Sequence, residues 1–202
     1  AMMTFTDTAR GGQNMSRRRR RKAEAMDLLA RMDPQEVRTW IQEKPGAEEV
    51  LGALTFTRDE QLARRAVQAL GWAARVRSEE DVEQVRDRIR RLIWSMNHES
   101  GNLVWRAPEM IGEMIVGVPQ LASEYTRVLA SFINLEPFEG GVHGAVARIA
   151  TVDPSAVEYL TPYLESVTAS PDPWIRVCAA LALARIDPSR VESVLASLGE
   201  DE

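Results

Sequence analysis

Cysteine and histidine are nearly missing from this chain of 202 residues, with Cys178 the one thiol and His98 and His143 the two imidazoles. A single cysteine excludes an internal disulfide framework, and two histidines leave little for a zinc site of the Cys/His kind. A metal site built from carboxylates alone stays open. Long apolar runs are also lacking: Met110–Val118 is broken by Gly112, Glu113 and Gly117, far short of the roughly 20 residues a membrane-spanning helix needs. A soluble protein is expected. The basic N-terminal cluster is not followed by an apolar segment, since Ala23–Met32 contains Glu24, Asp27 and Arg31. A secretory signal is therefore not expected, and the cytoplasm is the default location. There is no glycine-rich phosphate loop, and nothing calls for a cofactor. Aromatic residues make up only 6% of the chain, yet five are tryptophan (Trp40, Trp72, Trp94, Trp105, Trp174), more than either tyrosine or phenylalanine.

What is present describes a folded globular chain, with 45% hydrophobic and 27% charged residues. At this length roughly 70% of the unfolded surface can be buried, so no staple is required. The net charge of −5 is unevenly placed. Residues 1–22 carry seven basic side chains against Asp7 alone, a net of +6, which leaves −11 for residues 23–202. Ala1 before Met2 and Met3 reads as a cloning remnant, and Met15 as an alternative start. Residues 1–16 are accordingly expected to be disordered or cloning-derived, 17–46 to form capping helices with a basic start, and 47–200 to form a repeat domain.

Apolar residues recur at three- and four-residue spacing between glycine and proline punctuation, and no segment alternates strictly, so the chain reads as all helix. Helices are expected at about 17–32, 33–44, 47–56, 60–77, 79–97, 106–117, 119–134 and 141–151. Four Asp-Pro pairs, beginning at Asp33, Asp153, Asp172 and Asp187, supply an N-cap followed by proline at the first helical position. The pair at Asp153 is expected to open one helix with Val157, Leu160, Tyr163, Leu164 and Val167 inward.

A small residue followed four places later by a branched aliphatic and then another small residue occurs four times. The copies are Ala66/Leu70/Gly71, Ala107/Ile111/Gly112, Ala145/Ile149/Ala150 and Ala179/Leu183/Ala184, at offsets of 41, 38 and 34 residues. That period is the length of a helix pair, and small residues on one stripe let successive helices approach closely. The last copy, Asp172-Pro173-Trp174-Ile175-Arg176-Val177-Cys178-Ala179-Ala180-Leu181-Ala182-Leu183-Ala184, resembles the HEAT repeat of the phycobilisome-lyase HEAT-like type, and Asp59–Gly71 is a second match with its arginine shifted by one. In the middle copies Val104 and Val142 stand where the arginine falls, and Ser100 and Phe138 replace the acid. The resemblance covers roughly residues 47–198 and implies an all-α fold, an α-α superhelix (a HEAT/armadillo-like solenoid) of about four to five helical hairpins. Families of this type use the scaffold mainly for binding.

The segment Asn97–Glu113 departs most from the repeat. A polar loop containing His98 and Asn102 delivers Trp105-Arg106 to a helix start, and Glu109 and Glu113 follow one turn apart on one face. Trp105 offers a stacking surface, Arg106 an anion contact, and the glutamates acceptors for a cation or amine. The alternative is that Glu109 merely favours the positive helix terminus and Glu113 is solvated. His143, among Gly140, Gly141 and Gly144, is either a base or a helix-start cap. Cys178 reads as a small buried hydrophobe. No nucleophile, base and orienting group fall into a catalytic pattern.

The basic run Arg17, Arg18, Arg19, Arg20, Arg21 and Lys22 can contact nucleic acid, an anionic membrane surface or an acidic protein. Tryptophan and acids on a basic face also belong to HEAT-like DNA-repair glycosylases, but −11 over residues 23–202 argues against a phosphate channel. The arginines Arg86, Arg88, Arg90 and Arg91 follow acids on one helix, as the helix dipole favours. The expected function is a non-catalytic scaffold that binds another protein on a concave face through Trp105, Arg106, Glu109, Glu113, Asn102 and His98. A nucleic-acid-binding or DNA-repair role is the alternative, and a chromophore lyase or isomerase, suggested by the repeat type alone, the weaker one.

Overall fold

A computed structural model describes residues 6–97 and 103–190 of the chain, which contain nine α-helices and no strand. His98 and Asn102 lie outside the described residues, and the side chain of Arg17 is not described. The chain divides into two compact units, residues 1–76 and 77–202.

The first unit holds α1 (Thr6–Arg31), α2 (Pro34–Glu43), α3 (Ala47–Leu54) and the first part of α4 (Glu60–Ser95). The helix expected from residue 17 thus begins at Thr6. Residues 6–16 contain no proline to stop it, and each residue added to a formed helix contributes a hydrogen bond without a new nucleation cost. Asp33 caps α2 as its sequence predicts, its Oδ1 accepting from the N–H groups of Gln35 at 2.8 Å and Glu36 at 3.0 Å. Val37, Trp40 and Ile41 of α2 are buried together with Ala25 and Leu29 of α1 and Val50, Leu51 and Leu54 of α3. The Trp40 indole donates to Glu24 Oε2 at 3.4 Å. That bond, followed by Arg20, holds the Glu24 carboxyl below its ordinary range against the cost of burial. Gly46 sits at φ +80° between α2 and α3, a conformation that suits glycine because it lacks Cβ. Arg65 donates to the carbonyls of Leu29 and Ala30 at the end of α1, satisfying acceptors that helix termination leaves open.

The second unit holds the rest of α4, then α5 (Ala107–Gly117), α6 (Ala122–Ala130), α7 (Glu139–Ala150), α8 (Thr161–Ser166) and α9 (Pro173–Ile186). The helix break expected between 77 and 79 falls instead at Asp81, whose backbone is extended at φ −158°, ψ 100°. Asp81 supplies the reason: its Oδ1 accepts from Glu83 N–H at 3.0 Å and its Oδ2 from Gln84 at 3.2 Å, so it caps the segment that follows. The helix expected over 119–134 opens with a 3-10 turn at Pro119–Leu121 before α6. The single helix expected after Asp153 is split into 3-10 turns at Pro154–Ala156 and Glu158–Leu160 followed by α8. Pro162 lies in the first turn of α8, and a proline has no N–H with which to continue a hydrogen-bond ladder from the preceding turn. Val157 and Leu164 are buried as expected, while Leu160, Tyr163 and Val167 are half-buried.

Three copies of the small-aliphatic-small pattern fall on α5, α7 and α9, and α7 packs against both of the others. Gly112 shows what the pattern does. A Cβ on Gly112 would lie 2.7 Å from Ala145 Cβ and 2.9 Å from Ala145 Cα, so α5 and α7 meet where neither can carry more bulk. Farther along α7, the Trp174 indole of α9 lies over Gly140 and Gly144 and donates to the Gly140 carbonyl at 2.9 Å. The glycines of α7 are therefore explained by helix packing.

Candidate functional site

The segment singled out by its departure from the repeat enters α5 through a turn in which Ala107 N–H donates to Val104 C=O at 2.9 Å. Arg106 precedes the helix, Pro108 occupies its first turn, and no side chain caps it. Trp105 stands outside with 68% of its surface exposed. Arg106 is half-buried and reaches Glu109 Oε1 at 3.8 Å, a loose ion pair across one turn.

The two glutamates do share a face, and that face is turned toward α7. Glu109 packs on Gly141, where a Cβ would come within 2.7 Å of Glu109 Oε2. Glu113 is buried, and Arg148 of α7 donates to both its carboxylate oxygens, Nε to Oε1 at 2.5 Å and Nη2 to Oε2 at 3.0 Å. Those hydrogen bonds raise the guanidinium pKa of Arg148 above its ordinary value, despite the opposing effect of burial. Glu113 is thus neither solvated nor open to a ligand cation: it joins α5 to α7. Trp105, Arg106 and Glu109 stay together at the helix start, and Glu113 belongs to the seam behind them. Arg148 was not among the sequence candidates, although the signal was available. It is the only arginine or lysine of α7, and Glu109 and Glu113 are the only charged residues of α5, so stacking the two helices pairs opposite charges.

The remaining candidates are held within the fold. His143 is buried inside α7, with Nδ1 donating to the Glu139 carbonyl at 2.8 Å and Nε2 3.1 Å from the Tyr163 hydroxyl. Tyr163 donates in turn to Asn134 Oδ1 at 2.8 Å. The imidazole therefore ties α7 to α8 rather than capping a helix start. Burial pushes the Cys178 thiol up to about 12, which removes the thiolate on which nucleophilic or redox chemistry depends. Among the described residues no group of three or more His, Cys, Asp or Glu side chains is arranged to hold a metal ion.

Arg86 and Arg90 of α4 have carboxylate partners. Arg86 Nε donates to Glu124 of α6 at 2.9 Å, and Arg90 donates to Glu83 at 2.7 Å and Asp87 at 3.1 Å. In the first unit Arg20 pairs with Glu24 at 3.1 Å, and Arg21 lies beside Gly46. Arg18, Arg19 and Lys22 are exposed on α1. No helix among the described residues is long and apolar enough to cross a membrane. Comparison of the chain with family models, curated proteins and solved structures finds no match, so the reading of the site rests on its own geometry.

Proposed function

We propose that the chain is a HEAT-like α-α superhelix serving as a non-catalytic, cytoplasmic scaffold that binds another protein, with Trp105 as its principal contact. The repeat supports the architecture, because its copies on α5, α7 and α9 pack in succession through small residues. The observation that carries the function is the exposure of three tryptophans in the second unit: Trp105 at 68%, Trp94 at 63% and Trp174 at 47%. Tryptophan is the side chain most concentrated at the energetic centres of protein interfaces, and its large apolar surface is costly to leave in water. Trp174 is accompanied on α9 by exposed Val177 and Leu181, spaced three and seven residues on and hence along one stripe. Arg106 and Glu109 form a polar rim beside Trp105, of the kind that surrounds a contact. Glu113 is left out of the contact set because Arg148 already engages it.

Affinity capture with the whole chain, followed by crosslinking from position 105, tests this reading. Trp105→Ala is expected to reduce recovery of the crosslinked partner at least tenfold, since truncating an interface centre costs about 2 kcal/mol or more. Recovery unchanged in both Trp105→Ala and Trp174→Ala would overturn it.

A second reading, nucleic-acid binding through α1, is favoured by Arg18, Arg19 and Lys22, which are exposed and make no ion pair among the described residues. It requires duplex binding at about 50 mM salt that weakens steeply as salt rises. Absence of binding at low salt would dismiss it.

A further inference from the structure

Between α6 and the two 3-10 turns that follow α7 lies an open polar cavity of about 470 Å³, within the range of small-molecule pockets. Ser123, Arg127, Asp153, Ser155, Glu158 and Tyr159 are among its lining residues. Ser123 and Arg127 are one helical turn apart, so their side chains leave the same face of α6. The Arg127 guanidinium lies 4.2 Å from the centroid of the Tyr159 ring. Such stacking restrains a side chain that otherwise samples many rotamers, and it leaves the planar N–H edge available to an acid.

The carboxylates of the cavity do not take up that edge. Asp153 Oδ1 accepts from the Ser155 hydroxyl at 2.6 Å and from Ala156 N–H at 3.2 Å, serving its own turn. Glu158, on the same wall, forms no ion pair among the described residues, and neither does Arg127. The contrast with α4 is informative, because there Arg86 and Arg90 reach carboxylates at 2.7–3.2 Å. Here a cation held by stacking and a carboxylate line one cavity without closing on each other.

We infer that this cavity binds a zwitterionic small molecule of the α-amino acid class, with its carboxylate on Arg127 and its ammonium group toward Glu158. The Ser123 hydroxyl supplies a further donor to the ligand carboxylate. The charge pattern discriminates among simpler ions. A phosphate dianion meets Asp153 and Glu158 as like charges, a simple amine meets Arg127, and a simple carboxylic acid brings nothing for Glu158. The site is separate from the tryptophan surface proposed for protein binding, so loss of either leaves the other standing.

The test is titration of the purified full chain, by calorimetry and ligand-observed NMR, with a panel of common amino acids and with acetate, methylammonium and inorganic phosphate. At least one amino acid is expected to bind at millimolar concentration or below, about tenfold or more tighter than the three simple ions. Arg127→Gln is expected to weaken that amino acid about tenfold, and Glu158→Gln to weaken it while strengthening acetate. Ser123→Phe, at an exposed position, fills the cavity while both charged side chains remain in the chain, and is expected to abolish binding. Far-UV circular dichroism confirms that each variant is folded. Binding of none of the panel, binding of acetate as tight as that of the amino acid, or full affinity retained in Arg127→Gln and Ser123→Phe would each overturn the assignment.

Discussion

Replacing Arg148 by methionine isolates the seam between α5 and α7. Methionine keeps the length of the apolar stem and removes the guanidinium, so the loss reports the charge rather than the packing. The Glu113 side chain is 11% exposed and receives two hydrogen bonds from Arg148, whose own side chain is 44% exposed. A hydrogen bond to a charged group contributes about 1.5–3 kcal/mol, and breaking a fully buried pair costs about 3–5 kcal/mol. Water reaches the Arg148 side of this pair and screens it, which brings the expected loss to about 2–3 kcal/mol. For a chain of this size that lowers Tm by roughly 4–12 °C. Urea unfolding followed by far-UV circular dichroism measures the free energy directly. The double variant Glu113→Leu with Arg148→Met removes both charges together and is expected to lie within about 1 kcal/mol of the parent, because no uncompensated carboxylate remains. Salt separates this pair from surface pairs, since the loss should persist at about 1 M salt, where exposed ion pairs are screened. A loss below about 0.5 kcal/mol in Arg148→Met, or a double variant as unstable as the two single losses summed, would refute the reasoning.

Other consequences are open to measurement. Gly112→Ala places a methyl group 2.9 Å from the Ala145 Cα, so α5 and α7 must separate; the expected cost of about 1–3 kcal/mol exceeds any gain in helix propensity. Adding Ala145→Gly should recover part of that loss in a thermal melt, and its failure to do so would show that the contact is not the cause. The buried Cys178 thiol should resist a thiol reagent at pH 8 in the native chain and react fully in denaturant. Because its pKa rises from an ordinary 9.0 to about 12 in the fold, the unfolded chain releases this proton first. Stability should therefore fall as pH climbs from 9 toward 12, with a slope of at most about 1.4 kcal/mol per pH unit. Cys178→Ala should lack that contribution, and identical alkaline slopes in the two proteins would contradict the burial argument.

The legible parts of the fold were those written in local sequence. Asp33 and Asp172 cap α2 and α9 where the Asp-Pro pairs place them, because an N-cap carboxylate and the N–H groups that donate to it lie within three residues. Asp153 forms the same cap, yet only a 3-10 turn follows it, since Pro162 restarts the chain as α8. That proline was in plain view, and apolar spacing alone carried the expectation across it. Asp81 was harder to read. It is one of five acids within Glu79–Asp87, and only the backbone conformation shows which of them turns back to cap.

The candidate site divides in the same way. Trp105 and Arg106 were found because they break a periodic pattern, and a break in a pattern is a sequence observation. The fate of Glu109 and Glu113 was not accessible at that level. Their shared face follows from their spacing, but whether it meets water, a ligand or another helix depends on Gly141 and Arg148, which lie more than thirty residues away. The amino-acid cavity is likewise assembled from α6 and turns near Asp153, with no motif joining them.

Sequence by itself determined that this chain is helical, where most of its helices begin, and that small residues recur at the period of a helix pair. Those properties depend on interactions spanning a few residues and on a repeat that can be counted. Tertiary structure alone decided which charges were neutralised inside the fold and which stayed exposed. A carboxylate's role is set by what approaches it in space, and helix packing brings that partner from a distant part of the chain.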